Sequence, residues 1–313
     1  MITNEEKYRL LVNFLWSVKN QAHRDLSFLI ASPSLLKNTA TVPAISSTEW
    51  WNLFVSSMDA IKKDDSSPQR LNDFVDTQRQ YKLGLYAEDL FLYFLDNFSE
   101  YEILVHDMQV FIDKRSIGAF DFIVKAKDGT IEHWEMAIKY FVQYRPSPSW
   151  IDFIGPGGKD SLYRKMNKML GRQILLGDRI PAQEGLVKKG IPLPQKKRIV
   201  SMGKLFSHFG TQFIPPVDGD PNQPTGCWAF LHQFVEYIKN DKEHRWAYRK
   251  HPYWIAPILT KNEDELMNQK EVSIFVEEQE KHVMLSELKK TKKGWEECQR
   301  WFVMPNNWKK VEK

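Results

Sequence analysis

The sequence predicts an α/β protein of the α+β kind, and three observations predict it. Residues 5–31 and 48–62 carry apolar side chains at helical spacing. The segment LGLYAEDLFLYFLDNF, 83–98, is a helix apolar on nearly every side, as expected of a buried helix. From 101 the period changes to that of strands: YEILVHDMQVFID is one extended stretch, and GAFDFIVKAKDGTIEHWEMAIKYF, 118–141, is a hairpin.

Breaks rich in Ser, Pro and Thr at 32–48 and 63–69 punctuate the first helices. QYRPSPSWIDFIGPGG, 143–158, reads as a loop, and Asp160 as the N-cap of a helix running to about Leu176. A Gly/Pro/Lys-rich stretch at 177–198 reads as a long connection. Beyond it the spacing predicts strands at about 198–207, 272–276, 282–290 and 299–304, with helices at about 226–240 and 262–269. This divides the chain into a helical region, 1–80, a helix–strand–strand–strand–helix core, 81–180, and an α+β extension packed on it, 181–313.

The chain has 313 residues, 42% hydrophobic and 13% aromatic, enough for a sizeable core. A net charge of +4 permits an anionic partner without demanding one. Two cysteines, Cys227 and Cys298, are too few for a disulfide framework or a thiolate zinc site. MITNEEKYRL lacks the features of a signal peptide, and no apolar run is long enough to span a membrane, so the expected compartment is the cytoplasm.

The hairpin holds the most informative chemistry. One parity carries Phe120, Phe122, Val124, Trp134, Met136, Ile138 and Tyr140, a core face. The other carries Ala119, Asp121 and Ile123, then His133, Glu135, Ala137 and Lys139. A two-residue Asp128-Gly129 loop would set Asp121 opposite Met136. A three-residue loop, Lys127-Asp128-Gly129 with a left-handed Gly129, sets Asp121 opposite Glu135. Only the second keeps the apolar residues together, so the hydrophobic pattern selects it, with the two β-carbons about 5 Å apart.

Opposed carboxylates repel, and a hard divalent cation between them reverses the sign. A solvent-facing acid and lysine pair is the alternative reading of the hairpin alone. Two features favour a covered face. Glu88 lies inside the apolar helix, beside Leu85, Phe91, Leu92 and Leu95, where a carboxylate is costly without compensation. Lys165, Met169 and Gln173 recur every four residues on the helix that follows, hence on one side of it.

Glu88 on a first helix, Asp121 and Glu135 on successive strands, then a helix with Lys and Gln, resembles the PD-(D/E)XK nuclease superfamily over about residues 83–176. GAFDFIV, HWEMAIKYF, WIDFIGPGGKD and RWFVMPNNW together resemble an uncharacterised bacterial family, filed as a domain of unknown function and placed in that superfamily by sequence. The resemblance implies a restriction-endonuclease-like core, a mixed central sheet flanked by helices. It implies Mg²⁺ or Mn²⁺ held by Asp121, Glu135 and the auxiliary Glu88, and phosphodiester hydrolysis in nucleic acid, DNA first. The superfamily's lysine would fall at 137, where this chain has Ala137, so Lys139 or Lys165 is the implied substitute and Gln173 an orienting group. A relative that keeps the fold and binds nucleic acid without cutting it is the alternative.

Other motifs add less. GPGGKD is not a P-loop, because Phe153 and Asp160 stand where Gly and Ser or Thr are needed. The basic runs KKGIPLPQKKR, 188–198, and ELKKTKKGW, 287–295, suit phosphate contacts or plain solvated loops. His133 shares Glu135's parity and is read as an outward histidine. Cys227, and Trp254, Trp295, Trp301 and Trp308, are read as core.

Overall fold

Among the described residues, 2–76 and 82–308 of a computed structural model, ten strands form one mixed sheet. Four helices come first, α1 (Asn4–Ser17), α2 (Gln21–Ala31), α3 (Ser47–Asp65) and α4 (Gln69–Asp76), then the apolar α5 (Leu83–Phe98). Their starts are written locally: Thr3 and Glu6 form a reciprocal capping box, and Asn20 and Ser46 accept backbone N–H groups of the first turns. The strands β1 (Glu102–Ile112), β2 (Arg115–Lys125) and β3 (Ile131–Gln143) follow as an antiparallel meander. The short β4 (Phe153–Ile154) pairs with the end of β3.

Beyond α6 (Leu162–Lys168) and α7 (Ile180–Lys188), β5 (Lys196–His208) returns parallel to β3 and β6 (Thr225–Phe230) parallel to β5. After α8 (Leu231–Ile238) come β7 (Arg245–Tyr248), β8 (Leu259–Thr260), α9 (Gln269–Glu277), β9 (Val283–Lys290) and β10 (Trp295–Met304). The order across the sheet is β1-β2-β3-β5-β6-β10-β9-β7, with β8 beside β10. The sheet therefore runs without a break from the predicted core into the predicted extension.

Alternation along the strands sends side chains into two helical layers. Phe122, Val124, Trp134, Val200, Met202, Phe302 and Met304 pack against α1, α2, α3 and α5. On the opposite face Phe141, Ile199 and Leu205 meet α6, Ile123 and Ile131 meet α7, and Leu285, Trp301 and Val303 meet α8 and α9. The result is a three-layer α/β/α arrangement, with a large mixed central sheet flanked by helices.

Several expectations are corrected. Residues 272–276 are helical: Asn268 and Glu271 form a capping box that starts α9, and Val272 and Val276 bury one turn apart. The helix expected at 262–269 is loop up to that cap. The helix expected from 226 begins at Leu231, because TGCWAF first forms β6, a parallel strand buried between neighbours. The connection at 177–198 contains α7. The cap of α6 is Ser161, whose hydroxyl accepts the Arg164 N–H, rather than Asp160. The four late tryptophans are packing residues: Trp295 and Trp301 are buried, and Trp254 and Trp308 are packed against the main core. No helix among the described residues is long and apolar enough to cross a membrane.

Candidate functional site: a carboxylate pair at the end of a ladder

The β2–β3 turn fixes which side chains meet. The backbone pairs Lys125 with Ile131 and Phe122 with Trp134, and Ala126 N–H donates to the Thr130 carbonyl. Lys127, Asp128 and Gly129 form the loop, with Gly129 at φ +83°, a left-handed geometry that glycine adopts without a Cβ penalty. Continued by one residue, this register sets Asp121 opposite Glu135, as the hydrophobic pattern predicts.

The main-chain ladder stops at Phe122–Trp134. The next β3 donor, the Met136 N–H, is taken by Asp121 Oδ2 at 2.8 Å instead of a β2 carbonyl. Alternation breaks at the same place. Phe120 leaves the face of Phe122 and Val124, and packs with Ile123 and against the His133 ring, with 4.8 Å between ring centres. This corrects the expectation that Phe120 lies on the main core face. The local bend puts a carboxylate where a backbone carbonyl would stand.

Glu135 is fully buried. Its Oε1 lies 2.9 Å from His133 Nε2, and its Oε2 accepts the Gln173 amide at 2.7 Å. Gln173 ends a π turn, Met169–Gln173, that continues α6; such turns are uncommon and frequently mark functional sites. His133, expected to point outward, is also fully buried, and burial pushes its imidazole down to about 4. The neutral ring either donates Nε2–H to an ionised Glu135 or accepts from a protonated one.

Burial, then the charge of Glu135, pushes Asp121 up to about 7; the Met136 N–H and Lys165 oppose that, while Glu88 adds to it. Burial likewise pushes Glu135 up to about 7, opposed by hydrogen bonds from Asp121 and by the charges of Lys165 and Lys168. The pair therefore shares roughly one proton near neutrality, and the next group to arrive should be cationic. Lys165 faces both acids and is itself lowered, first by burial and next by the nearby Lys139.

The structure brings Asp121, Glu135, Gln173 and Lys165 together and leaves two residues at the margin. Glu88 is half-buried rather than buried, because α5 covers the opposite, apolar face; its Oε1 pairs with His106 Nε2 at 3.1 Å. The three acids do not bring one carboxylate oxygen each within 4.8 Å of one another. Lys139 Nζ binds Asp160 Oδ2 at 3.1 Å. Its backbone is pressed by Gly203 in β5, where a Cβ would lie 1.8 Å from the Lys139 carbonyl oxygen.

Sequence reasoning underrated His133 and missed His106 and Lys168. The signal for His133 was present: it precedes Glu135 by two residues on the same strand, and hence shares its face.

These features define a class, an α/β protein whose central sheet carries a pair of opposed carboxylates, one buried and one half-buried, with a lysine and a glutamine over them. The chain belongs to the family described as Domain of unknown function (DUF1853), which matches residues 24–304. No curated protein and no solved structure matches it.

Proposed function

We propose that the protein is a Mg²⁺- or Mn²⁺-dependent phosphodiesterase acting on nucleic acid, DNA in the first place, on a restriction-endonuclease-like version of this sheet. One observation carries the reading: Asp121 and Glu135 face each other, both raised to about 7, under the Lys165 ammonium. Two such carboxylates suit a hard cation, whose charge removes the repulsion that holds their protons on. Mg²⁺ bound there supplies a Lewis acid for a phosphodiester and its attacking water.

The chain's own groups divide the remaining work. Asp121 and Glu135 would hold the cation in place of their shared proton. Gln173 and His133 fix the Glu135 carboxylate through its two oxygens. Lys165 offsets charge on the phosphate. Glu88, which pairs with His106 in the structure, would be the auxiliary acid. Lys139 and Lys159 line a groove of about 550 Å³ with Gly155, Pro156 and the start of α5, a path for the sugar-phosphate backbone. Exposed Lys188 and Lys189, at the end of α7, add sequence-independent phosphate contacts.

A second reading, a nucleic-acid-binding protein without cleavage, is favoured by Ala137 in the superfamily's lysine position and by the Lys139–Asp160 pair. Plasmid and linear DNA incubated with the protein and Mg²⁺ or Mn²⁺ separate the two. Cleavage by the parent that is lost in Asp121→Asn supports the first. Salt-sensitive retention of DNA without cleavage supports the second. Neither cleavage nor retention overturns both.

A further inference from the structure

At the far end of the sheet from the acid pair, the turn after α8 meets β9 and β10. We infer that His244, Glu287 and Cys298 form a site for zinc or a similar borderline transition-metal ion, independent of the carboxylate pair. Each offers one donor atom, and the three atoms lie within 4.8 Å of one another. His244 Nδ1 and Glu287 Oε1 are 3.5 Å apart, close to the separation of two ligands each about 2.1 Å from one tetrahedral ion. A donor set of imidazole, carboxylate and thiolate selects zinc-like ions over Mg²⁺.

The fold aims these groups. The β9–β10 register shifts between Glu297 and Gln299, so Cys298 is the extra residue of a bulge, a device that re-aims a side chain. Its Sγ lies 3.3 Å from the Glu287 carbonyl oxygen. The Glu287 carboxylate is held on both oxygens, by the Tyr237 hydroxyl at 3.0 Å and the Trp301 indole N–H at 2.8 Å. Such outer contacts are what orients a metal ligand.

One observation points beyond a plain hydrogen-bond cluster. Asp241 Oδ1 lies 3.1 Å from His244 Nδ1, yet its Oδ2 is buried with no hydrogen-bond partner. A buried carboxylate oxygen without a partner calls for an explanation, and a cation that replaces the Nδ1 proton supplies one by placing a positive charge beside it.

Cobalt(II) serves as the probe. Added to the reduced, full-length protein, it should give a thiolate-to-cobalt charge-transfer band that saturates at one equivalent. Zn²⁺ should remove the band and excess Mg²⁺ should not. Cys298→Ser, at an exposed position, should fold normally and lose the band, while Cys227→Ser keeps it. His244→Gln should weaken binding at least about tenfold. The inference is overturned if the parent shows no band at saturating cobalt, or if Cys298→Ser or His244→Gln leaves it unchanged.

Discussion

Asp121 Oδ2 accepts the Met136 N–H at 2.8 Å, so one carboxylate oxygen completes a sheet while the group faces Glu135. Structure and chemistry in this residue separate by substitution. Asp121→Asn keeps an acceptor for Met136, loses the charge, and should melt at or above the parent's temperature without metal. Asp121→Ala also strands the Met136 donor, and should cost about 1–3 kcal/mol in chemical denaturation. Both should lose any Mg²⁺- or Mn²⁺-induced rise in melting temperature, since an ion that binds only the folded chain stabilises it by mass action. A rise retained in both variants would remove the carboxylate pair from the metal reading.

The acid pair also predicts a pH dependence. Asp121 and Glu135 are raised from 3.8 and 4.5 to about 7 in the folded chain. Groups raised on folding bind protons more tightly when folded. Their contribution is fully present below their unfolded pKa values and is lost as pH climbs through about 7. Without metal, the melting temperature of Asp121→Asn should therefore gain on the parent from about pH 5 to pH 8. Mg²⁺ should narrow that gap most at pH 8, where protons no longer compete. A gap independent of pH would contradict the shared-proton arrangement.

Lys165 is half-buried beside both acids and makes no ion pair among those of the described residues. Lys165→Met should lower phosphodiester cleavage at least tenfold, about 1.4 kcal/mol, while leaving DNA retention within a factor of a few. Parallel cleavage and filter-retention assays check this. Equal losses in both would make Lys165 a binding residue only.

Away from the site, Glu297 is held at about 2, because Arg300, which it meets in two hydrogen bonds of 2.7 Å, outweighs the cost of burial. Ser286 and the Ile258 N–H complete its shell. Arg300→Met removes the guanidinium bonded to this buried charge, leaving only Arg249 and Lys204 near it, and should cost about 3–5 kcal/mol in urea unfolding. Adding Glu297→Gln should recover a large part of that loss, since the stranded charge goes with it.

Gly203 sits at φ +129°, against the Lys139 backbone. Gly203→Ala should cost more than about 3 kcal/mol, combining an unfavourable dihedral with a backbone clash, or abolish soluble expression. Gly129→Asn, in an open turn with no atom near a new Cβ, should cost less than about 1 kcal/mol.

Much of the site was legible because short-range rules decide it. Turn length and alternation fixed the facing of Asp121 and Glu135 before any coordinate was known. The four-residue recurrence of Lys165, Met169 and Gln173 put Lys165 and Gln173 over that face. Phe120 was illegible, since a bend that swaps one side chain between faces leaves no mark in a periodic pattern. Glu88 was misjudged for a related reason. An apolar helix reads as buried all round, but α5 covers only one face of the sheet and leaves a half-open stripe for Glu88 and His106. In the C-terminal part, VSIFV favours strand by composition, and the Asn268–Glu271 cap that overrides it lies outside the run. TGCWAF failed the other way: a short apolar run beside a helix start does not announce where the strand ends.

The parallel register of β3 and β5 runs from Glu132–Lys196 to Val142–Phe206. A fragment cut at residue 180 would strip eleven paired positions from β3 and leave that flank raw. Such a piece would seek another chain to zip onto, and would precipitate or form soluble clumps instead of behaving as a minimal working unit.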